Sequence, residues 1–162
     1  MTVLRTLACI ALLSLTPPAM AQGTQVAFGT IQQDTSAPVE VTADQLDVDQ
    51  ATGKAIFTGN VVIGQGAMRL SATRVVVVYR EDSAGIQSLE ATGGVTLASG
   101  ADAAESQRAD YDIDSGVIVM SGDVLMAQGQ SALSADQMTV DLDGGTARMQ
   151  GRVKTILQTG GN

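Results

Sequence analysis

"ADYDIDSG" covers residues 109–116, and two structures compete for it. Asp110, Asp112 and Asp114 at alternate positions, followed by Gly116, look like the start of a calcium loop. The same letters also spell a strand with Tyr111 and Ile113 on one face, carboxylates on the other, and a turn at the end. A calcium loop of the helix-loop-helix kind wants glycine at its sixth position and a bidentate glutamate at its twelfth. Counted from Asp110, those positions hold Ser115 and Ser121. The strand reading is preferred, and no metal site is expected.

The rest of the chain repeats that pattern. ADQLDVDQATGKAIFTGNVVIGQG (43–66), ATRVVVVYREDSAGIQSLEATGGVTLASG (72–100), ADYDIDSGVIVMSGDVLMAQG (109–129) and ADQMTVDLDGGTARMQGRVKTILQ (135–158) share one plan. Each opens with Ala-Asp or Ala-Thr, alternates apolar and polar residues, turns, and reaches a Gly-x-Val signature. The signature glycines are Gly59, Gly93, Gly122 and Gly151, at spacings of 34, 29 and 29 residues. Self-similarity at such a period marks a stacked or wound array whose units cannot bury their apolar faces alone.

Alternate residues of a strand share a face. On that rule the signatures place Val61 and Ile63, Val95 and Leu97, and Val124 and Met126 on one inner face, with Phe57, Met120 and Met149 two residues before their glycines. In the last unit Val153 follows the rule and Thr155 breaks it. The Ala-Asp segments add Leu46 and Val48, Val75 and Val77, Tyr111 and Ile113, and Met138 and Val140. The glycine between the two runs marks a bend or a close backbone approach. Few aromatic residues occupy these positions, and methionines are frequent, so the inner face is either an ordinary core or an adaptable apolar groove.

Composition narrows the function. The first 21 residues read as a signal peptide: Arg5, the apolar run LACIALLSL (7–15), and a cleavage pattern ending at Ala21. The one cysteine, Cys9, lies inside it, so the remaining chain enters an oxidising compartment without a disulfide. Beyond residue 21 there are 8 basic and 17 acidic side chains, which disfavours nucleic acid and anionic membrane surfaces as partners. Histidine is absent, removing the usual neutral-pH acid and base, and no cofactor or catalytic residue is expected. Residues 22–37 read as a flexible lead-in, 38–158 as one all-β domain, and 159–162 as a frayed tail. The edges of that domain are expected at 38–48 and 146–157. The dispersed Arg69, Arg74, Arg80, Arg108, Arg148, Arg152 and Lys154 read as outer-face charge rather than a phosphate-binding rim.

PVEVTADQLDV (38–48) and AIFTGNVVIGQGAMRLSATRVVVVYRE (55–81) resemble the LptA/OstA-like family of lipopolysaccharide-transport proteins. The likeness is carried by Phe57-Thr58-Gly59-Asn60-Val61, Gln65-Gly66 and the 72–78 stretch, with Ser121-Gly122-Asp123-Val124 as a variant. It implies an open, V-shaped β-jellyroll of many short antiparallel strands, periplasmic and without enzymatic activity. It further implies that the interior cradles lipid A acyl chains and that copies stack head to tail. Such a stack bridges inner-membrane and outer-membrane transport complexes through related jellyroll domains. Family lipid-contact positions carry over to Val39, Val41, Tyr111 and Ile113 and to the vicinity of Leu97. Two alternatives stay open: a structural β-solenoid without lipid, and an anchored jellyroll component of the same pathway.

Overall fold

The computed structural model describes residues 24–28, 34–82 and 85–156. The signal peptide assigned to 1–21 and the tail at 159–162 lie outside the described residues. Eleven strands and no helix occur among those described: β1 (Thr24–Ala27), β2 (Glu40–Thr42), β3 (Gln45–Asp49), β4 (Lys54–Gln65), β5 (Met68–Tyr79), β6 (Ile86–Ser99), β7 (Asp102–Asp112), β8 (Val117–Gln128), β9 (Ser131–Asp141), β10 (Thr146–Gln150) and β11 (Lys154–Ile156). All pairings are antiparallel, in the order β1-β10-β9-β8-β7-β6-β5-β4-β2, with β3 also on β4 and β11 also on β9.

Six of these strands are long, and each bends halfway. The pairing register breaks between Thr58 and Val61, Ser71 and Arg74, Thr92 and Val95, Glu105 and Arg108, and Ser121 and Val124. One sheet therefore becomes two layers. The first runs from β3 through residues 54–58, 74–79, 86–92, 108–112, 117–121 and 137–141 to β10 and β1. The second runs from β2 through 61–65, 68–71, 95–99, 102–106, 124–128 and 131–135 to β11.

The signature glycines make the bends. At each, two consecutive residues have left-handed backbones: Gly59 (φ 79°) and Asn60 (45°), Gly93 and Gly94, Gly122 and Asp123, Gly151 and Arg152. Only glycine adopts this region without steric penalty. Close packing adds a second requirement, because a Cβ on Gly59 would lie 2.5 Å from Oδ2 of Asp44. Asp44 accepts a hydrogen bond from Asn60 Nδ2 (2.9 Å), and its backbone N–H donates to the Gly59 carbonyl (2.9 Å). The other bends repeat the device: Thr73 Oγ1 donates to the Gly93 carbonyl, Gln107 Nε2 donates to Asp123, and Arg152 pairs with Asp136.

This corrects one alignment. Asp44, Thr73 and Asp136 face their glycines as the second residue of an Ala-Asp or Ala-Thr step, but in the third unit that place belongs to Gln107, not Asp110. Tyr111 is therefore equivalent to Val48, two residues later than the matched letters imply.

The opening octapeptide is the end of β7 and its turn into β8. Its three aspartates serve separate purposes. Asp110 accepts two bonds from Arg108 (2.8 and 2.7 Å), and Asp114 pairs with Arg80. Asp112 Oδ1 accepts from the backbone N–H and the hydroxyl of Ser115, both at 2.9 Å, which holds its carboxyl below the usual range. Asp49 and Asp141 close the equivalent turns by bonding the N–H groups of Ala51 and Gly144. Aspartate two or three residues before the N–H it accepts is ordinary turn chemistry.

The lead-in reading of 22–37 also needs correction. Thr24–Ala27 pairs with β10, and Phe28 is 3% exposed within the core. Apolar side chains of both layers form one buried cluster, including Met68, Met120, Met126, Met138 and Met149, all at 0% exposure. Unbranched thioethers fill irregular space between two twisted layers better than rigid aromatics.

The bend makes a measurable demand on Gly59. Gly59→Ala and Gly53→Ala both force alanine into a left-handed backbone, about 1–2 kcal/mol, but Gly53 has open space where Gly59 faces Asp44. Urea midpoints are expected to fall further for Gly59→Ala, and a double-mutant cycle with Asp44→Ala to show positive coupling. Equal midpoints and no coupling would mean that the bend is not sterically locked.

Candidate functional site

The candidate site is the space between the layers and its openings. Of the eighteen residues assigned to the inner face by sequence, twelve are at most 2% exposed: Val61, Ile63, Val75, Val77, Val95, Leu97, Tyr111, Met120, Val124, Met126, Met138 and Val140. Val39, Val41, Phe57 and Ile113 are half-buried against that cluster. Leu46 and Val48 are 51% and 61% exposed. These two differ for a simple reason. They pair with Phe57 and Ala55, so they sit on the inner side, but β3 is the last strand of its layer and nothing covers it.

The interior is sealed rather than gaping. Three connections join the hairpin tips of the two layers on the side away from the bends. Tyr111 in the first layer donates its hydroxyl to Gln65 Oε1 at the tip of β4 in the second (2.5 Å). Gln65 Nε2 donates in turn to the carbonyls of Thr35 (2.8 Å) and Ala37 (3.1 Å), while Thr35 Oγ1 bonds Asp143 in the β9–β10 turn. Ala27 and Phe28 make the third: Gln128 Nε2, at the tip of β8, donates to the Ala27 carbonyl (2.9 Å), and the Phe28 N–H donates to Gly145 (3.1 Å).

Gln65 and Phe28 went unassigned in the sequence. Gln65 is a polar residue on an inner face, and an alternation rule that looks for apolar letters passes over it. Its side chain is 3% exposed and satisfied on both its oxygen and its nitrogen, as a buried amide must be. Burial, then the charge of Asp143, push the Tyr111 phenol up to about 12, so it stays protonated and keeps donating.

One end of the interior remains open. Where β2 passes into β3, a cavity of about 410 Å³ is lined by Val41, Thr42, Ala43, Asp44, Gln45, Leu46 and Phe57. At the far end β11 is exposed throughout, with Ile156 at 55%. The outer faces carry the charge. Arg108 bridges Asp110 and Glu90, with its guanidinium pushed up chiefly by Asp110. Arg69 Nη1 donates to the carbonyls of Gly66 and Met68. Among the described residues no three acidic or thiol side chains gather closely enough to hold a metal ion.

Comparison with known proteins agrees with this architecture. The chain is 31% identical over 111 residues to an uncharacterized protein of Rhizobium meliloti (strain 1021), an alignment covering 64% of this chain and 60% of the relative. It is 32% identical over 60 residues to the lipopolysaccharide export system protein LptA of Escherichia coli (strain K12), covering 37% of this chain and 32% of that protein. The alignments thus span less than two thirds of the length of these curated relatives. The crystal structure of LptH from Pseudomonas aeruginosa, described as the LptA-homologous periplasmic component of the lipopolysaccharide transport device, superposes with a TM-score of 0.69. That match covers 78% of this chain and 99% of LptH at 16% identity, and so speaks for a shared open β-jellyroll fold. The family model described as LptA/(LptD N-terminal domain) LPS transport protein matches residues 40–150, and the chain belongs to that family.

Proposed function

We propose that this chain is a periplasmic, lipopolysaccharide-binding link of the transport pathway. In this reading the space between its layers receives lipid A acyl chains, and its sheet ends join it to further jellyrolls. Its family is one of transport proteins and not of enzymes. The observation that carries the reading is the open end at Val41, Leu46 and Phe57, where exposed apolar side chains run without a break into the buried cluster. Each acyl methylene moved from water into such surroundings gains about 0.8 kcal/mol, so a lipid with several chains needs no charged grip. Acidic outer faces fit a protein that holds the tails and leaves phosphorylated sugars in solvent. The signal-like segment at 1–21 and the periplasmic description of LptH support the location.

The ends of the fold support head-to-tail joining. β2, β3, β11 and β1 are terminal strands with an unpaired side, which is a template for another chain. Their charges are opposite. Residues 40–50 hold Glu40, Asp44, Asp47 and Asp49 and no basic residue, whereas 146–156 hold Arg148, Arg152 and Lys154 and no acidic one. Contact between unlike ends is heterologous and propagates into a rod, and unlike charge favours it over contact between like ends. The same ends suit the related jellyroll domains of an inner-membrane complex and an outer-membrane translocon.

Two measurements follow. A photo-crosslinking residue at Phe57 is expected to capture lipopolysaccharide, while one at the outward-facing Asp47 is not; equal capture from both would reject an apolar groove. Self-association, followed by sedimentation, is expected to weaken as salt rises and to drop sharply on Leu46→Asp. Assembly indifferent to both changes would place the contact elsewhere.

A further inference from the structure

We propose that Phe28 is a built-in plug, a side chain of the protein that occupies the space between the layers until an acyl chain displaces it. The inference rests on the acyl-chain reading above and adds how access is controlled. Twelve inner-face side chains are at most 2% exposed, so no lipid reaches them unless something moves. The parts held least by the sheet are the ones at the mouth. β1 is four residues long, pairs on one side only, and carries no charge. It leads directly into Phe28, one of only four aromatic residues in the chain and, at 3% exposure, part of the core.

Its position fits a plug rather than a structural anchor within a layer. Phe28 follows the end of β1, and its backbone N–H bonds Gly145 at a tip of the first layer. The adjacent Ala27 carbonyl bonds Gln128 at a tip of the second. The pair thus spans the mouth, held by one hydrogen bond to each layer. Releasing β1 from β10 frees Phe28, parts this crossing, and leaves the longer strands of both layers intact. Exchanging a phenyl ring for an aliphatic chain replaces one apolar contact by another, so the swap is nearly balanced in free energy and runs in either direction.

The test locks the strand. Gln25 and Arg148 face each other across β1 and β10 and both are exposed. Directly opposed residues of antiparallel strands lie about 4.5–5.5 Å apart between Cα atoms, within disulfide range. The only native cysteine is Cys9, in the signal segment, so Gln25→Cys/Arg148→Cys in the processed chain makes a single reducible staple. Binding of purified lipopolysaccharide is measured with the staple oxidised and then reduced. In parallel, Phe28→Trp introduces the sole tryptophan, whose emission reports its surroundings.

The expected result is binding at least tenfold weaker when oxidised and restored by reductant, with Phe28→Trp emission shifting to the red as lipopolysaccharide is added. Phe28→Ala, if it folds, is expected to bind more tightly than the native chain. Equal binding by both redox forms, with Phe28→Trp emission unmoved, would overturn the plug while leaving the acyl-chain reading in place. Failure of the native chain and of every variant to bind would overturn the acyl-chain reading and the plug together.

Discussion

A left-handed pair of residues, repeated four times, is the constraint on which this fold depends. Hydrogen-bonded strands cannot bend at different heights without tearing their ladder, so the bends must fall in line across the sheet. Gly59, Gly93, Gly122 and Gly151 provide them, and the neighbouring strands supply Asp44, Thr73, Gln107 and Asp136 to occupy the corner. An ordinary bulge accents the twist of a sheet and leaves it one layer. Here the whole row of corners turns together. A single eleven-stranded sheet then faces itself, and the inner residues of both halves enter one cluster.

That mechanism explains what could be read from the letters. Gly-x-Val recurs because the corner needs glycine and the next inward position needs a β-branched aliphatic, so spacing and alternation together located twelve deeply buried residues. Exposure at Leu46 and Val48 was not legible, since alternation names a face but not whether another strand covers it. β1 was not legible either: TQVA stands outside the repeats, and only its pairing with β10 makes it a strand. The third unit misled because "AD" at 109–110 imitates the corner step, while the residues at the corner are Ser106 and Gln107. Register in a sheet is fixed by partners far along the chain, which a local match cannot see.

The distribution of charge follows from the same geometry. Inner faces exclude ions, because an unpaired charge there would lose its hydration with nothing to replace it. Acidic and basic residues are therefore pushed to the outer faces and the ends. On the outer faces they neutralise each other locally, as Arg108 does with Asp110 and Glu90. At the ends they are segregated, with four carboxylates on residues 40–50 and three cations on 146–156. The excess of acid over base then resides mostly on solvated strand surfaces, where it opposes unspecific association without disturbing a contact between unlike ends.

A sealed interior and a lipid-carrying role are compatible because the interior is soft and repeats its chemistry. Five fully buried methionines line it, and thioether chains re-pack at small cost where a rigid aromatic core would not. A permanently open trough would expose several hundred Å² of aliphatic surface to water, at roughly 25 cal/mol per Å², and would adhere to any apolar surface it met. Closure removes that penalty in the empty protein. A carrier must also release what it binds, and burial of every acyl methylene at full value would hold the lipid too tightly to pass on. If binding must first part contacts the protein makes with itself, part of the gain is spent opening the layers, and affinity falls into a range where transfer to the next jellyroll is reversible. The closed state sets both the solubility of the empty protein and the looseness of its grip.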